Sequence, residues 1–268
     1  MPVPADSALP EFDAPPVAEV ALGVQFRPLL NLHPIEMGQL RDEWRTGYPV
    51  VQEQPPLPPS IEEEAGQRPA FQLVLAPAWQ SRLWFVSEDQ TALVQVQRDR
   101  FAVNWRRIGE GTYPRYPFVR AAFEARLTEF SDFVQRSKLG EIQIIQVDAT
   151  YINAIPTRTA VVGDPANALA SWRAPEVTGG GLEQARTNFT FRLSHIGTGP
   201  VRLHVVTDVG QGLIQQPSTF LTLTVQGAPA GPRLADALEF MDRAHGQIVR
   251  SFTELTPEAM HKEWRRVR

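Results

Sequence analysis

Apolar and polar residues alternate with a two-residue period over 101–107, FAVNWRR, so that Phe101, Val103 and Trp105 fall on one side and Ala102, Asn104 and Arg106 on the other. Such alternation marks a strand with one buried and one polar face. FQLVLA, RLWFVS and TALVQVQ precede it, separated by the turn-forming SEDQ and RDR, and together the four segments predict an antiparallel sheet over 71–107. Upstream, EVALGVQF at 19–26 is a strand, and 31–49 predicts a helix with Pro34 in its first turn and Met37, Leu40 and Trp44 at helical spacing. Residues 49–69 contain five prolines between 49 and 59 and are expected to be a loop packed on its own protein, with the polyproline II-prone PPLPP as a ligand for a partner's aromatic groove in the alternative. A helix is expected from about 117 to 138, with a stripe of Val119, Phe123, Leu127, Phe130 and Val134 and Gly140 just beyond its end.

The same order then returns. A strand is expected at 141–156, and a short helix at 163–172 with Asp164 as N-cap and Pro165 in the first turn. TNFTFRLSHI, PVRLHVVTDVG and STFLTLTVQG are three further β segments, and a last long helix runs from about 232 to 252. The pattern implies an α+β fold of two tandem halves, each an antiparallel sheet covered by a long helix in a helix-grip-like, strand-helix-strands-helix order. The expected divisions are an N-terminal arm at 1–16, a first half at 17–139 and a second at 140–268.

The composition is that of a globular chain: 268 residues, 43% hydrophobic and 21% charged. The absence of cysteine excludes disulfides, thiolate metal sites and a cysteine nucleophile. No signal-like segment and no long apolar run is evident, so a cytoplasmic location without membrane association is expected. A net charge of -4 argues against a surface built to grip phosphate backbones. Lysine occurs only at 138 and 262, so nearly all the positive charge is arginine.

The histidines do not cluster. His245 lies in the helical stripe Leu234, Leu238, Met241, Ile248 and Phe252, and His195 follows Phe189, Phe191 and Leu193, which reads as two buried, hydrogen-bonded side chains. His204 has the opposite phase, with Arg202 and Asp208. Thr190, Arg192 and Ser194 match it, as do Gln146, Asp148 and Thr150, so Arg192, His204 and Asp148 are candidates for a polar groove floor or for a solvated sheet face. No metal-binding spacing, phosphate loop or GxSxG elbow is present, and GEGTYP and TGGGLE lack phosphate-loop spacing, so no cofactor is expected. The glutamates of IEEEAG read as solvated. Trp105, Arg106, Arg107, Tyr113, Arg115 and Tyr116, within the stretch VNWRRIGEGTYPRYP, have the composition of an interface hot spot or of a single-strand nucleic-acid platform, and equally of a strand end and loop clamped onto the next helix by tyrosine hydroxyls and arginine stacking.

PPVAEVALGVQF, YPVVQEQPPLPP, LWFVSEDQTALVQVQRDRFAVNWRR, YPRYPFVRAAFE, VDATYINAIP and DRAHGQIVRSFTELTPEAMHKEW together resemble a sporadically distributed bacterial protein family of unknown function, over nearly the whole chain. The resemblance implies membership without a mechanism, and patchy occurrence is typical of accessory genes of defence or specialised metabolism. Tyr151 and Asn153 lie in one of these stretches and are expected to satisfy buried backbone groups or the partner half where the two units meet, with a ligand pocket as the alternative. The reading that follows is a non-catalytic binding protein that recognises a protein or peptide partner and can self-associate. The alternatives are an enzyme or small-molecule binder acting through His204 and Arg192, and nucleic-acid binding through Arg106, Arg107 and Arg115.

Overall fold

A computed structural model describes residues 8–62, 81–156, 165–173, 178, 184–211 and 217–268. At the centre of the fold, β1 (Val17–Phe26) and β6 (Ile144–Pro156) pair antiparallel, Val20 opposite Tyr151 and Gly23 opposite Asp148. From β1 the sheet continues outward through β5 (Arg100–Arg106), β4 (Ala92–Gln97), β3 (Arg82–Val86) and β2 (Val50–Gln54). From β6 it continues through β9 (Pro217–Gly227), β8 (Val201–Gln211) and β7 (Arg186–Leu193). All eight pairings are antiparallel, so the described strands form one nine-stranded sheet in an α+β fold.

Alternation fixes which face is covered. On β6, Val147, Ala149, Tyr151, Asn153 and Ile155 are buried, whereas the residues between them from Asp148 to Ala154 are half-buried. Ile145 has the parity of the buried set but lies at the strand end and is exposed. The long helices α2 (Tyr116–Arg136) and α3 (Leu234–Leu255) cover that side, α2 over β5 and β1, α3 over β6 and β9. The α2 stripe Val119, Phe123, Leu127 and Phe130 is buried, and Phe130 stacks on Phe101 at 5.3 Å between ring centres. The helix α1 (Pro34–Trp44) plugs the β3 end, where Trp44 meets Phe85 edge-on at 5.1 Å. A last helix, α4 (Glu258–Glu263), turns the C-terminus back on the body.

Several expectations need correction. The strands of both stretches share one sheet instead of forming two. Val50–Gln54, read as loop, is the edge strand β2: its prolines lie on either side of it and leave its ladder with β3 intact. Helix 163–172 shrinks to a single 3-10 turn at Pro165–Asn167, with Asp164 outside the described residues. FQLVLA and most of TGGGLE also lie outside them. Among the described residues no helix is long and apolar enough to cross a membrane.

Candidate functional site

The arm and the C-terminus meet over the space between the two long helices. Phe12 is buried against Phe252 and Trp264, at 5.6 and 6.3 Å between ring centres. Its backbone forms an antiparallel bridge with Arg266, reinforced by Glu11 N–H to Arg268 O at 3.2 Å and Val267 N–H to Glu11 O at 2.8 Å. Two arginines hold the arm from beneath. Arg107 donates to Pro15 O at 3.0 Å, and Arg115 donates to Phe12 O at 2.8 Å and to Asp13 O at 3.3 Å. Arg115 precedes α2 with φ 77°, a region that non-glycine residues seldom adopt and that marks stored strain.

Beneath the arm is a cavity of about 370 Å³, within the usual range for small-molecule sites. Val17, Ile248, Val249 and Phe252 give it apolar walls. Its polar groups are few and connected. The Tyr113 and Tyr151 hydroxyls are 3.2 Å apart, and the Tyr151 hydroxyl is 2.9 Å from Nδ1 of His245. Tyr116 stacks flat on the His245 ring at 4.0 Å and donates its hydroxyl proton to Asp242 at 2.6 Å, while Arg120 donates to the same Asp242 oxygen at 2.8 Å. Asn153 donates to Leu221 O at 3.0 Å and so serves a backbone group, while the Tyr151 hydroxyl meets Tyr113 from the earlier stretch of the chain; both lie within the expectation, and both also line the cavity.

Burial sets the charge of this relay. It pushes the His245 pKa down to about 4, against a weak opposing pull from Asp242. It also pushes the Tyr113 phenol up to about 12 and raises Tyr151 well above the usual phenol range. All three groups are therefore neutral near pH 7. With the imidazole proton on Nε2, Tyr113 donates to Tyr151 and Tyr151 to Nδ1, which leaves an N–H donor at one end and an acceptor oxygen at the other. With the proton on Nδ1 every bond reverses. The relay thus suits a neutral polar group and offers no charge to an anion or a cation.

Comparison with protein-family models, curated proteins and solved structures gives no match.

Of the sequence candidates, Tyr113, Arg115 and Tyr116 line the cavity. Trp105 packs behind it, 5.4 Å from the Tyr113 ring, and Arg106 lies at the end of β5, donating to Gln90 O at 3.2 Å. Arg107 and Arg115 spend donors on arm carbonyls, which is closer to the clamped loop than to the open patch of the two expectations, although what they clamp is the arm.

The other two candidates lie elsewhere. Arg192 and His204 sit on the opposite face of the sheet, Arg192 opposite Arg202 and His204 opposite Thr190. That face is not an open groove: Glu62, expected to be solvated, bonds His204 Nε2 at 2.6 Å and pairs with Arg202. Burial pushes the Glu62 pKa up, but the bonds from His204 and Arg202 prevail and hold it below the usual carboxylate value. Asp148, also on this face, fits only because Gly23 opposes it: a Cβ at Gly23 would lie 2.5 Å from Asp148 Oδ2. Among the described residues no group of three or more His, Cys, Asp or Glu could hold a metal ion.

His245 read from sequence as a core residue, and its stripe did place it against the sheet. Its role in the cavity came from two tyrosines 94 and 129 residues away in the chain, which no local pattern signals. His195, read as buried, lies beyond the end of β7 and is exposed, bonded to Gln247 at 3.0 Å.

Proposed function

We propose that the chain is a non-catalytic small-molecule-binding protein whose ligand is neutral and largely apolar, with one hydroxyl or carbonyl group, held in the cavity beneath the arm. The observation that carries this reading is the uncharged Tyr113–Tyr151–His245 relay in a largely apolar space. Apolar walls supply affinity, and a single convergent polar cluster fixes orientation. Among the charged lining groups, Arg268 pairs with Glu11 at 3.1 Å and Arg115 directs donors to the arm carbonyls of Phe12 and Asp13.

The same reading takes 17–139 and 140–268 as two helix-on-sheet halves of a duplicated, helix-grip-like plan. Tyr113 and Tyr116 then come from the first half, Tyr151 and His245 from the second, and the ligand lies at their junction.

Titration with N-phenyl-1-naphthylamine, a neutral fluorophore, tests the proposal. It is expected to bind saturably at one site, and Val249→Trp, which fills the cavity from a half-exposed helix position, is expected to abolish binding without loss of folding. Equal uptake by the folded Val249→Trp variant would overturn it. Recognition of a protein or peptide partner is a separate reading that rests on the other face of the sheet.

A further inference from the structure

The sheet face turned away from the helices is crossed by residues 57–62, and the contacts are of an unusual kind. Gln97 on β4, Gln25 on β1, Gln146 on β6 and Gln226 on β9 are all buried. Gln97 donates to Leu57 O and accepts from Leu57 N–H, both at 2.9 Å. Gln25 does the same with Ser60, at 2.9 and 3.1 Å. Gln146 accepts from Glu62 N–H at 2.7 Å and donates to Ser60 O, which also receives Gln226 at 2.6 Å. Binding both main-chain groups of one residue is what a neighbouring strand does for a peptide. Here side-chain amides do it, so the backbone is read wherever Leu57 and Ser60 stand.

One side chain of the segment is read by charge. The Glu62 carboxylate takes Arg202 on one oxygen and His204 on the other. From Gln97 on β4 to Arg202 on β8 the sheet spans five strand spacings, roughly 24 Å, a distance bridged by an extended segment together with the side chains at its ends. Apolar burial contributes little to this docking. Pro58, Pro59 and Ile61 are exposed, Ile61 by 45%, and Leu57 is only half-buried. Contacts to backbone and to one carboxylate, without an apolar anchor, can be reproduced by another chain, because they do not depend on a particular set of side chains.

We propose that this face is a docking site for an extended, acidic peptide segment of a partner protein, and that residues 57–62 fill it in the resting chain. The partner segment would present one residue to Gln97, a second three positions later to Gln25, and a glutamate two positions further on to Arg202 and His204. Proline is tolerated between these contacts, as Pro58 and Pro59 are, because no amide there is used.

The test is fluorescence anisotropy with a labelled peptide of sequence PPLPPSIE, added to the full chain and to Glu62→Lys, whose new cation faces Arg202 and His204 and expels the internal segment. The variant is expected to bind the peptide at least about tenfold more tightly than the unaltered chain. A peptide with glutamine for its glutamate is expected to lose that binding, as is the variant with Arg202→Ala added. Should Glu62→Lys fail to fold, as judged by circular dichroism, Ser60→Pro serves instead, since it removes the N–H that donates to Gln25 and the hydroxyl that accepts from Gln226. A folded variant that binds no better than the unaltered chain overturns the proposal, as does indifference to the peptide's glutamate. Dimerisation of the variant that excludes the peptide would also overturn it, by assigning the face to a second copy.

Discussion

Acidification probes the half-buried His245 directly. In the folded chain His245 is neutral, its pKa held down to about 4 by burial against Tyr116 and Tyr151, with Asp242 pulling the other way. In the unfolded chain the ring titrates near 6.5, so below that pH the unfolded state takes up a proton that the folded state refuses until about pH 4. The contribution of His245 to stability is therefore whole above about pH 6.5 and is lost as the pH falls toward 4. At about 1.4 kcal/mol per pH unit, the loss across that window is about 3 kcal/mol. That is a large share of a domain stability of roughly 5–15 kcal/mol. The comparison is His245→Asn, which keeps a side-chain acceptor for the Tyr151 hydroxyl but cannot be protonated. Urea denaturation of both proteins between about pH 7.5 and about pH 4.5 gives two stability profiles. Glu62, Asp236 and His261, which also destabilise the fold as they protonate, are common to both and cancel in the difference. The cost of the substitution is expected to shrink by about 2–3 kcal/mol on acidification. Profiles that stay parallel would refute a desolvated, neutral His245.

Three further outcomes are expected. Burial raises the pKa values of Tyr113, Tyr116 and Tyr151, so in the Tyr48→Phe variant absorbance near 295 nm should show no phenolate forming around pH 10 before the fold is lost, and an ordinary transition there would contradict the enclosed relay. Phe12→Ala should cost about 3–5 kcal/mol if the arm is part of the cooperative fold; thermal denaturation showing less than about 1 kcal/mol would mean that the arm frays independently. Gly23→Ala forces a methyl group onto the Asp148 carboxylate and should destabilise by about 1–3 kcal/mol, whereas adding Asp148→Gly should restore most of the loss. Simple additivity in that double-mutant cycle would refute the contact.

The local patterns carried much of the architecture. Period-two alternation at 101–107 and the helical stripe of α2 depend only on which residues prefer water and which backbone spacing puts them on one face, and both elements formed where the pattern put them. Edge strand β2 escaped notice because prolines crowd around it, although none occupies a ladder position. The short helix expected at 163–172 failed because capping signals such as Pro165 start a turn without supplying the packing that extends one. The site was less legible still. Tyr113, Arg115 and Tyr116 stood out by composition and Tyr151 and Asn153 as hydrogen-bonding groups on an apolar face, but His245 had an ordinary core phase.

Sequence by itself determined the α+β class, the faces of the central strands and the amphipathic helices, since each of these follows from the periodicity of neighbouring residues. Only the tertiary structure decided that β1 and β6 pair, that α2 and α3 lie together, and that the arm closes over the space between them. Those pairings join residues more than a hundred positions apart, and their free energy comes from surfaces that do not exist until the chain has folded. The neutrality of His245 and the grip on Glu62 belong to the same class, because desolvation and hydrogen bonding act on groups brought together in space, whatever their separation along the chain.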